Sequence, residues 1–507
     1  MKIWPARPAW LIDVEDRYVV PGQCDGDFVA LSYRWGEQSG FRVNADNMTK
    51  LQELKALDNP EISEYLVPIL QDAMYLTSIV GERYLWMDAL CVVQGDDVAV
   101  AEQLNLMGAI YANAIVTIVA ADGDSQEGIL GLRNSSNSRK LDQHVIPFGK
   151  EKMIVKNKYS IRNGFSARSP YSDRGWTFQE ERMSQRRIVF NERQVHWVCQ
   201  CNVWHEETVF GAELKELTES SLSVILAGFP DTKALEDVLS AYNSRHLCYD
   251  EDTLPGISGL FSIMSRTFRG GFLCGLPEMQ FDRALGWRPT YYHEQLRRRT
   301  LSDRPNSSRL SDYPLPSWLW VGWQAAFVSN EDEVIRINSM WKFIDETFPI
   351  TEWYTSNSPH GSPLRRIRST WYERLDTLKG TTKPLPEGWT RDKRAGFDND
   401  RDICDKAGRK IGKLYLHNAE QRELFPKPVA EDADMSRLEL VAIYRLKRHK
   451  PKKDGRYKYS YGQTAEEFYV VLWIEWVEDV AYRLASGSVQ KVDWEGADLE
   501  DVSLVLG

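Results

Sequence analysis

Phe28-Val29-Ala30-Leu31-Ser32-Tyr33, Tyr84-Leu85-Trp86-Met87-Asp88 and Ile115-Val116-Thr117-Ile118-Val119-Ala120 are three short, almost wholly apolar runs. Such runs read as strands buried on both faces, the habit of parallel sheets. The first stops at Arg34-Trp35-Gly36. Between the first two, Ile62, Leu66, Ile69, Leu70, Ala73 and Leu76 recur at three- and four-residue spacing, which predicts one amphipathic helix over 62–80. Gln94-Gly95-Asp96-Asp97 reads as a turn, and Leu104, Met107, Tyr111 and Ala114 mark one side of a second helix. Strand, helix, strand, helix, strand over residues 28–121 predicts a parallel, doubly wound α/β sheet. Ligands of such sheets bind at the carboxyl ends of the strands, here residues 32–36, 88–94 and 122–124. None of these ends carries GxGxxG or a Walker loop, so a phosphate-binding fingerprint is absent.

Residues 122–170 read as polar and irregular, followed by a helix over 176–183 and strands over 187–191 and 194–199. After about residue 215 short apolar runs and Pro/Gly turns dominate, with a late pair of strands at 468–474 and 480–484. That part reads as mixed α+β without a repeat of fixed period. The basic segment 445–458, from Arg445 to Lys458, reads first as a solvated hairpin loop, with a nuclear-import signal or an anion-binding patch as the alternatives.

The 507 residues leave room for two or three domains. A 42% hydrophobic share beside 27% charged residues implies a sizeable core rather than disorder. The net charge of −10 argues against general nucleic-acid binding. Seven cysteines, odd in number and unevenly spaced, imply no disulfide framework and fit a reducing, cytoplasmic setting. Residues 1–17 hold no apolar core of signal-peptide length. The uncharged stretch 103–121 contains Gln103, Asn105 and Asn113 and changes from helical to strand-like pattern midway, so it reads as a helix and a buried strand, not a membrane span.

Four motifs in order carry a resemblance. Leu31-Ser32-Tyr33-Arg34-Trp35-Gly36, Leu85-Trp86-Met87-Asp88-Ala89-Leu90-Cys91-Val92-Val93-Gln94, Met107-Gly108-Ala109-Ile110-Tyr111 and Gly175-Trp176-Thr177-Phe178-Gln179-Glu180 resemble the successive motifs of the fungal heterokaryon incompatibility (HET) domain. The resemblance implies a HET domain over 1–210, with its motif core at 28–181, and a variable region over 215–507 that regulates or senses a partner. It also implies non-self recognition and programmed cell death when unlike fungal cells fuse, triggered by a partner the sequence does not name. HET domains in turn resemble TIR domains, which implies a TIR-like, flavodoxin-like parallel sheet with flanking helices. Some TIR domains hydrolyse NAD with a glutamate four residues after a tryptophan, the spacing of Trp176 and Glu180 here. That spacing puts both side chains on one helix face. The TIR likeness further implies NAD or a related nucleotide as substrate, with no bound cofactor, and self-association to complete the site.

Cleavage of NAD passes through an oxocarbenium-like ribosyl species that one carboxylate can stabilise. Glu180 is the catalytic candidate; its alternative is a local pair with Arg174 or Arg182. Asp88, at the end of an apolar strand, either meets ligand or forms a salt bridge with Arg34. Arg34 could equally meet a pyrophosphate. Trp35 and Trp176 either stack on a base or pack. Gln179 joins Arg34, Trp35, Asp88 and Trp176 as a substrate-binding candidate. Cys91 reads as a buried small residue and Glu102 as a solvated helix glutamate. His196, Cys199, Cys201 and His205 invite a zinc reading, but strand alternation turns His196 away from the cysteines, so no metal is expected. Two functions stay open: an NAD glycohydrolase, or a non-enzymatic module acting through self-association or partner binding. The first expects Glu180 in an open cleft beside the strand ends.

Overall fold

The computed structural model describes residues 6–36, 41, 43–95, 97–132, 144–155, 169–191, 194–199, 203–206, 225, 226, 228, 230, 232–290, 296–302, 315–328, 344–356, 363–369, 400–404, 409–417, 438–454 and 458–507. The chain forms two compact units, and neither is continuous in sequence. The first takes Met1–Ser223, Arg245–Ile263 and Leu301–Asp312; the second takes Val224–Ser244, Met264–Thr300 and Tyr313–Gly507.

The first unit is α/β with a central mixed sheet. In chain order its elements are β1 (Trp10–Asp13), β2 (Tyr18–Pro21), β3 (Phe28–Tyr33), α1 (Ala45–Leu51), α2 (Pro60–Ser63), α3 (Pro68–Ile79), β4 (Tyr84–Trp86), α4 (Asp88–Cys91), α5 (Asp97–Asn113), β5 (Val116–Ala120), β6 (His144–Phe148), β7 (Glu151–Val155), α6 (Gly175–Met183), β8 (Arg186–Asn191), β9 (Gln194–Cys199) and β10 (Val203–His205). Eight strands stand in the order β10-β9-β8-β5-β3-β4-β1-β2. The expected strand–helix alternation builds the middle: β3 runs parallel to β4 and β5, and β5 parallel to β8. β3 is buried along its whole length, as its apolar run requires.

The expectation of an all-parallel sheet is corrected at both margins. The hairpin of β1 and β2 closes one edge antiparallel to β4, and β9 with β10 closes the other antiparallel to β8. The single helix expected over 62–80 is two. Pro68 sits at the first position of α3, where its missing N–H costs nothing but where no helix can continue into it. Asp88 does not end a strand; β4 stops at Trp86 and Asp88 opens the single turn α4. The stretch read as irregular contains the antiparallel hairpin of β6 and β7, while the Asn134–Ser138 region lies outside the described residues. The uncharged stretch 103–121 is the end of α5 followed by β5, and among the described residues no helix is long and apolar enough to cross a membrane.

The second unit is built on a seven-stranded sheet. Its long strands Leu440–Asp454, Lys458–Val477 and Val480–Gln490 pair antiparallel around a core of Leu414, Leu416, Val471, Trp473, Ala485 and Val489. The late strand pair was legible in sequence. The basic segment is corrected from loop to strand as far as Asp454, because residues 445–454 pair along the Lys458–Val477 strand.

Candidate functional site

The order of the parallel strands places the site. Counted along the chain, the parallel strands β3, β4, β5 and β8 lie second-first-third-fourth across the sheet. The winding therefore reverses between β3 and β5, and a crevice opens at the carboxyl ends of strands where it does so. Ser32 and Tyr33 end β3 there. Successive strand residues face opposite ways, so the two serve different neighbourhoods.

Ser32 turns to α6. Its hydroxyl donates to Glu180 Oε2 at 2.5 Å and lies 2.6 Å from the Tyr171 hydroxyl. A hydroxyl has one proton, so Ser32 accepts from Tyr171 while it donates to Glu180. The Tyr111 hydroxyl stands beside Glu180 and donates to Leu31 O at 3.0 Å. Glu180 is only 6% exposed. Burial pushes its carboxyl up to about 7; the Ser32 hydrogen bond and the Arg174 charge oppose that rise, and nearby Asp88 adds to it. Its neighbour behaves oppositely. Burial alone would raise Glu181, but Arg187, bound at 2.6 Å, and the charges of Arg182 and Arg245 hold it below the ordinary value. Burial, followed by the nearby carboxylates, also raises Tyr33, Tyr111 and Tyr171, so all three keep their protons.

Tyr33 turns to a cavity of about 270 Å³. Trp35, Phe41, Tyr65 and Tyr249 supply the other aromatic walls, and Gln94 and Ser125 the polar ones; among the described residues no charged side chain lines it. The Trp35 indole, 45% exposed, donates to Asp88 Oδ2 at 2.8 Å. Burial raises the Asp88 carboxyl, against the Trp35 indole, the Arg174 charge, the Ala89 N–H and the Tyr33 hydroxyl.

The candidates thus separate. Glu180, Trp35 and Asp88 meet around the end of β3. Arg34 does not pair with Asp88; its Nε donates to Gly123 O at 3.1 Å and its head lies 3.8 Å from Asp124, at the carboxyl end of β5. Trp176 shares α6 with Glu180, but its indole donates to Asp252 at 3.0 Å. Gln179 is fully buried, and its Oε1 accepts from Gly259 N–H at 2.7 Å. The open cleft expected for Glu180 is corrected: its carboxylate is enclosed. The local pair is corrected too, since Glu180 forms no ion pair with Arg174 or Arg182 among the described residues. Arg174 donates to Tyr33 O, and Arg182 lies over the Phe178 ring.

Cys91 is buried with its thiol pushed up to about 12, which suits packing and not nucleophilic attack. Glu102 is exposed on α5. His196 and His205 face each other across β9 and β10 with their Nδ1 atoms 2.6 Å apart, and Cys201 lies outside the described residues.

Sequence reading passed over Tyr171 and Asp252, and counted neither Ser32 nor Tyr111 among the site candidates, with Arg174 only as a local pair for Glu180. Ser32 and Glu180 lie 148 positions apart, and no local spacing signals such a pair.

Residues 28–180 match the family described as heterokaryon incompatibility protein (HET), and the chain carries a HET domain there. That domain supports a role in heterokaryon incompatibility. No curated protein and no solved structure matches the chain.

Proposed function

We propose that the HET domain brings about its incompatibility reaction by hydrolysing NAD to nicotinamide and ADP-ribose, with Glu180 as the reacting carboxylate. The observation that carries this reading is Glu180 itself. A carboxyl 6% exposed, hydrogen-bonded to Ser32 and pushed up to about 7 stands at the reversal point of an α/β sheet, and the next residue of β3, Tyr33, lines an aromatic cavity. Carboxyls desolvated in this way concentrate at reactive sites. The second-first-third-fourth strand order is that of flavodoxin-like sheets, in keeping with the TIR likeness.

In the proposed reaction the bond from the ribose C1′ to the pyridinium nitrogen breaks, and its electron pair leaves with neutral nicotinamide. Water adds to C1′ and gives up a proton. Ionised Glu180 stabilises the positive ribosyl group, in a low-dielectric setting where that attraction is strong. Asp88 and Trp35 shape the ring subsite, and Arg34 faces the phosphates. Self-association that completes the site belongs to the same proposal.

The enclosure of Glu180 favours a second reading, a signalling module whose buried cluster is structural. Nicotinamide release by the concentrated full-length chain, beside Glu180→Gln, separates the two. The full chain is used because residues 245–263 belong to the same unit. Release abolished by the substitution supports the hydrolase. No release by the folded wild-type chain at any concentration supports the module.

A further inference from the structure

The helix that carries Glu180 is held, residue by residue, by one distant stretch of chain. The His246 N–H donates to Asp173 O at 2.6 Å, and Gly175 N–H donates to His246 O at 2.7 Å. Arg245 donates to Arg174 O at 3.3 Å and to Thr177 Oγ1 at 3.2 Å, and its guanidinium lies 4.7 Å from the centre of the Phe178 ring. Asp252 accepts from the Trp176 indole, and Gly259 N–H donates to Gln179 Oε1. Every residue from Asp173 to Gln179 therefore has a partner within 245–259.

The fit is close. A methyl carbon on Gly175 would stand 2.3 Å from the Leu247 side chain, and one on Gly259 would stand 2.9 Å from Gly108 Cα of α5. α6 needs such support. It has nine residues, and its N-cap residue Arg174 makes no side-chain capping bond. Helices of that length are not stable alone. The supporting stretch lies outside the 28–180 match and follows residues 224–244, which belong to the second unit.

We propose that residues 245–259 are the seat of the Glu180 helix, with Arg245 and Asp252 as positioning residues, so that the matched stretch supplies the carboxylate but only part of its placement. The inference rests on Glu180 being the reacting group. Its physical basis is that Glu180 follows directly on the last residue gripped, Gln179, so loosening the grip displaces the carboxylate and lets water reach it.

The test uses the full-length chain with Arg245→Met, which keeps the stem over Phe178, and with Asp252→Leu and Asp252→Asn. Two quantities are read: kcat and KM for nicotinamide release, and the Glu180 titration midpoint by carbon-13 NMR, assigned by its absence in Glu180→Gln. Displacing a reacting group by about 1 Å costs roughly 10- to 100-fold in rate. Arg245→Met and Asp252→Leu are expected to lose that much kcat with a smaller change in KM. Their Glu180 midpoint should fall from about 7 towards the ordinary carboxylate value as water enters. Asp252→Asn, whose amide oxygen still accepts from Trp176, should restore both. Unchanged kcat and midpoint in folded Arg245→Met and Asp252→Leu overturn the proposal. If either fails to fold, Trp176→Phe reads the same grip from the helix side, and an unchanged midpoint there overturns it equally. A wild-type chain without activity refutes the hydrolase reading alone, because the midpoints still decide the seat.

Discussion

Ser32 and Glu180 share a 2.5 Å hydrogen bond that ties the end of β3 to the middle of α6. That bond joins the first and last motifs of the HET domain. It ends in a carboxyl 6% exposed that has no ion pair among the described residues, and its raised pKa follows from that burial.

The folded protein favours the protonated form of Glu180, whose pKa rises from about 4.5 to about 7. Its stabilising contribution is complete below pH 4.5 and is lost as the pH rises through about 7. Glu180→Gln removes that loss. Urea unfolding at pH 8 should show the variant more stable by up to about 3 kcal/mol, at ~1.4 kcal/mol per pH unit between the two values. The difference should shrink towards zero near pH 4.5. A difference independent of pH would mean that the carboxyl is hydrated in the folded chain.

In the proposed hydrolysis, ionised Glu180 is the form that stabilises a positive ribosyl group. Nicotinamide release should therefore rise with pH along a single ionisation centred near 7. Ser32→Ala removes the donor that holds this carboxyl down, so the midpoint should move upward. The same change deprives the buried Tyr171 hydroxyl of its acceptor, at a cost of about 1–3 kcal/mol in unfolding. A pH–rate profile on both proteins decides; a midpoint that stays put would remove Ser32 from the site.

Trp35 is half exposed and forms one wall of the cavity. Base–aromatic stacking is worth about 1–3 kcal/mol. Trp35→Ala should raise KM for NAD by roughly tenfold or more while changing the unfolding midpoint little. Unchanged KM would place the base elsewhere.

Gly108 and Gly259 meet where α5 crosses the 245–263 segment. A methyl carbon on Gly108 would come within 2.8 Å of Gly259 Cα, a backbone atom that cannot rotate away. Gly108→Ala should destabilise the first unit by about 1–3 kcal/mol, as overpacked cores do. Thermal melts of the variant and the parent test this, and equal melting temperatures would show that the crossing yields.

The legible part of the fold rests on runs that are local. β3, β5 and α5 follow from apolar stretches of decided period, and α6 appears where the Trp176–Glu180 segment predicts a helix. The helix over 62–80 misled because its apolar spacing continues through Pro68, where the backbone cannot. The basic segment misled because charge suggested a loop, whereas its backbone pairs in an antiparallel strand as far as Asp454. At the margins of the first sheet the strand β9 was legible at 194–199, but β1, β2 and β10 were not, since they are short, and the antiparallel pairing depends on which edges the parallel centre leaves free.

The candidate site divides in the same way. The sequence by itself determined the strand–helix alternation and the motif order, because each depends on residue types within one run, and it put Glu180, Asp88 and Trp35 forward as candidates. Only the tertiary structure decided that Glu180 is enclosed, that Arg34 answers Asp124 and not Asp88, and that Trp176 answers Asp252. Desolvation and hydrogen bonding depend on which distant segments close over a group. Here Ser32, Tyr111, Tyr171 and the 245–259 stretch converge on α6 from four parts of the chain, and no spacing within any one of them encodes that convergence.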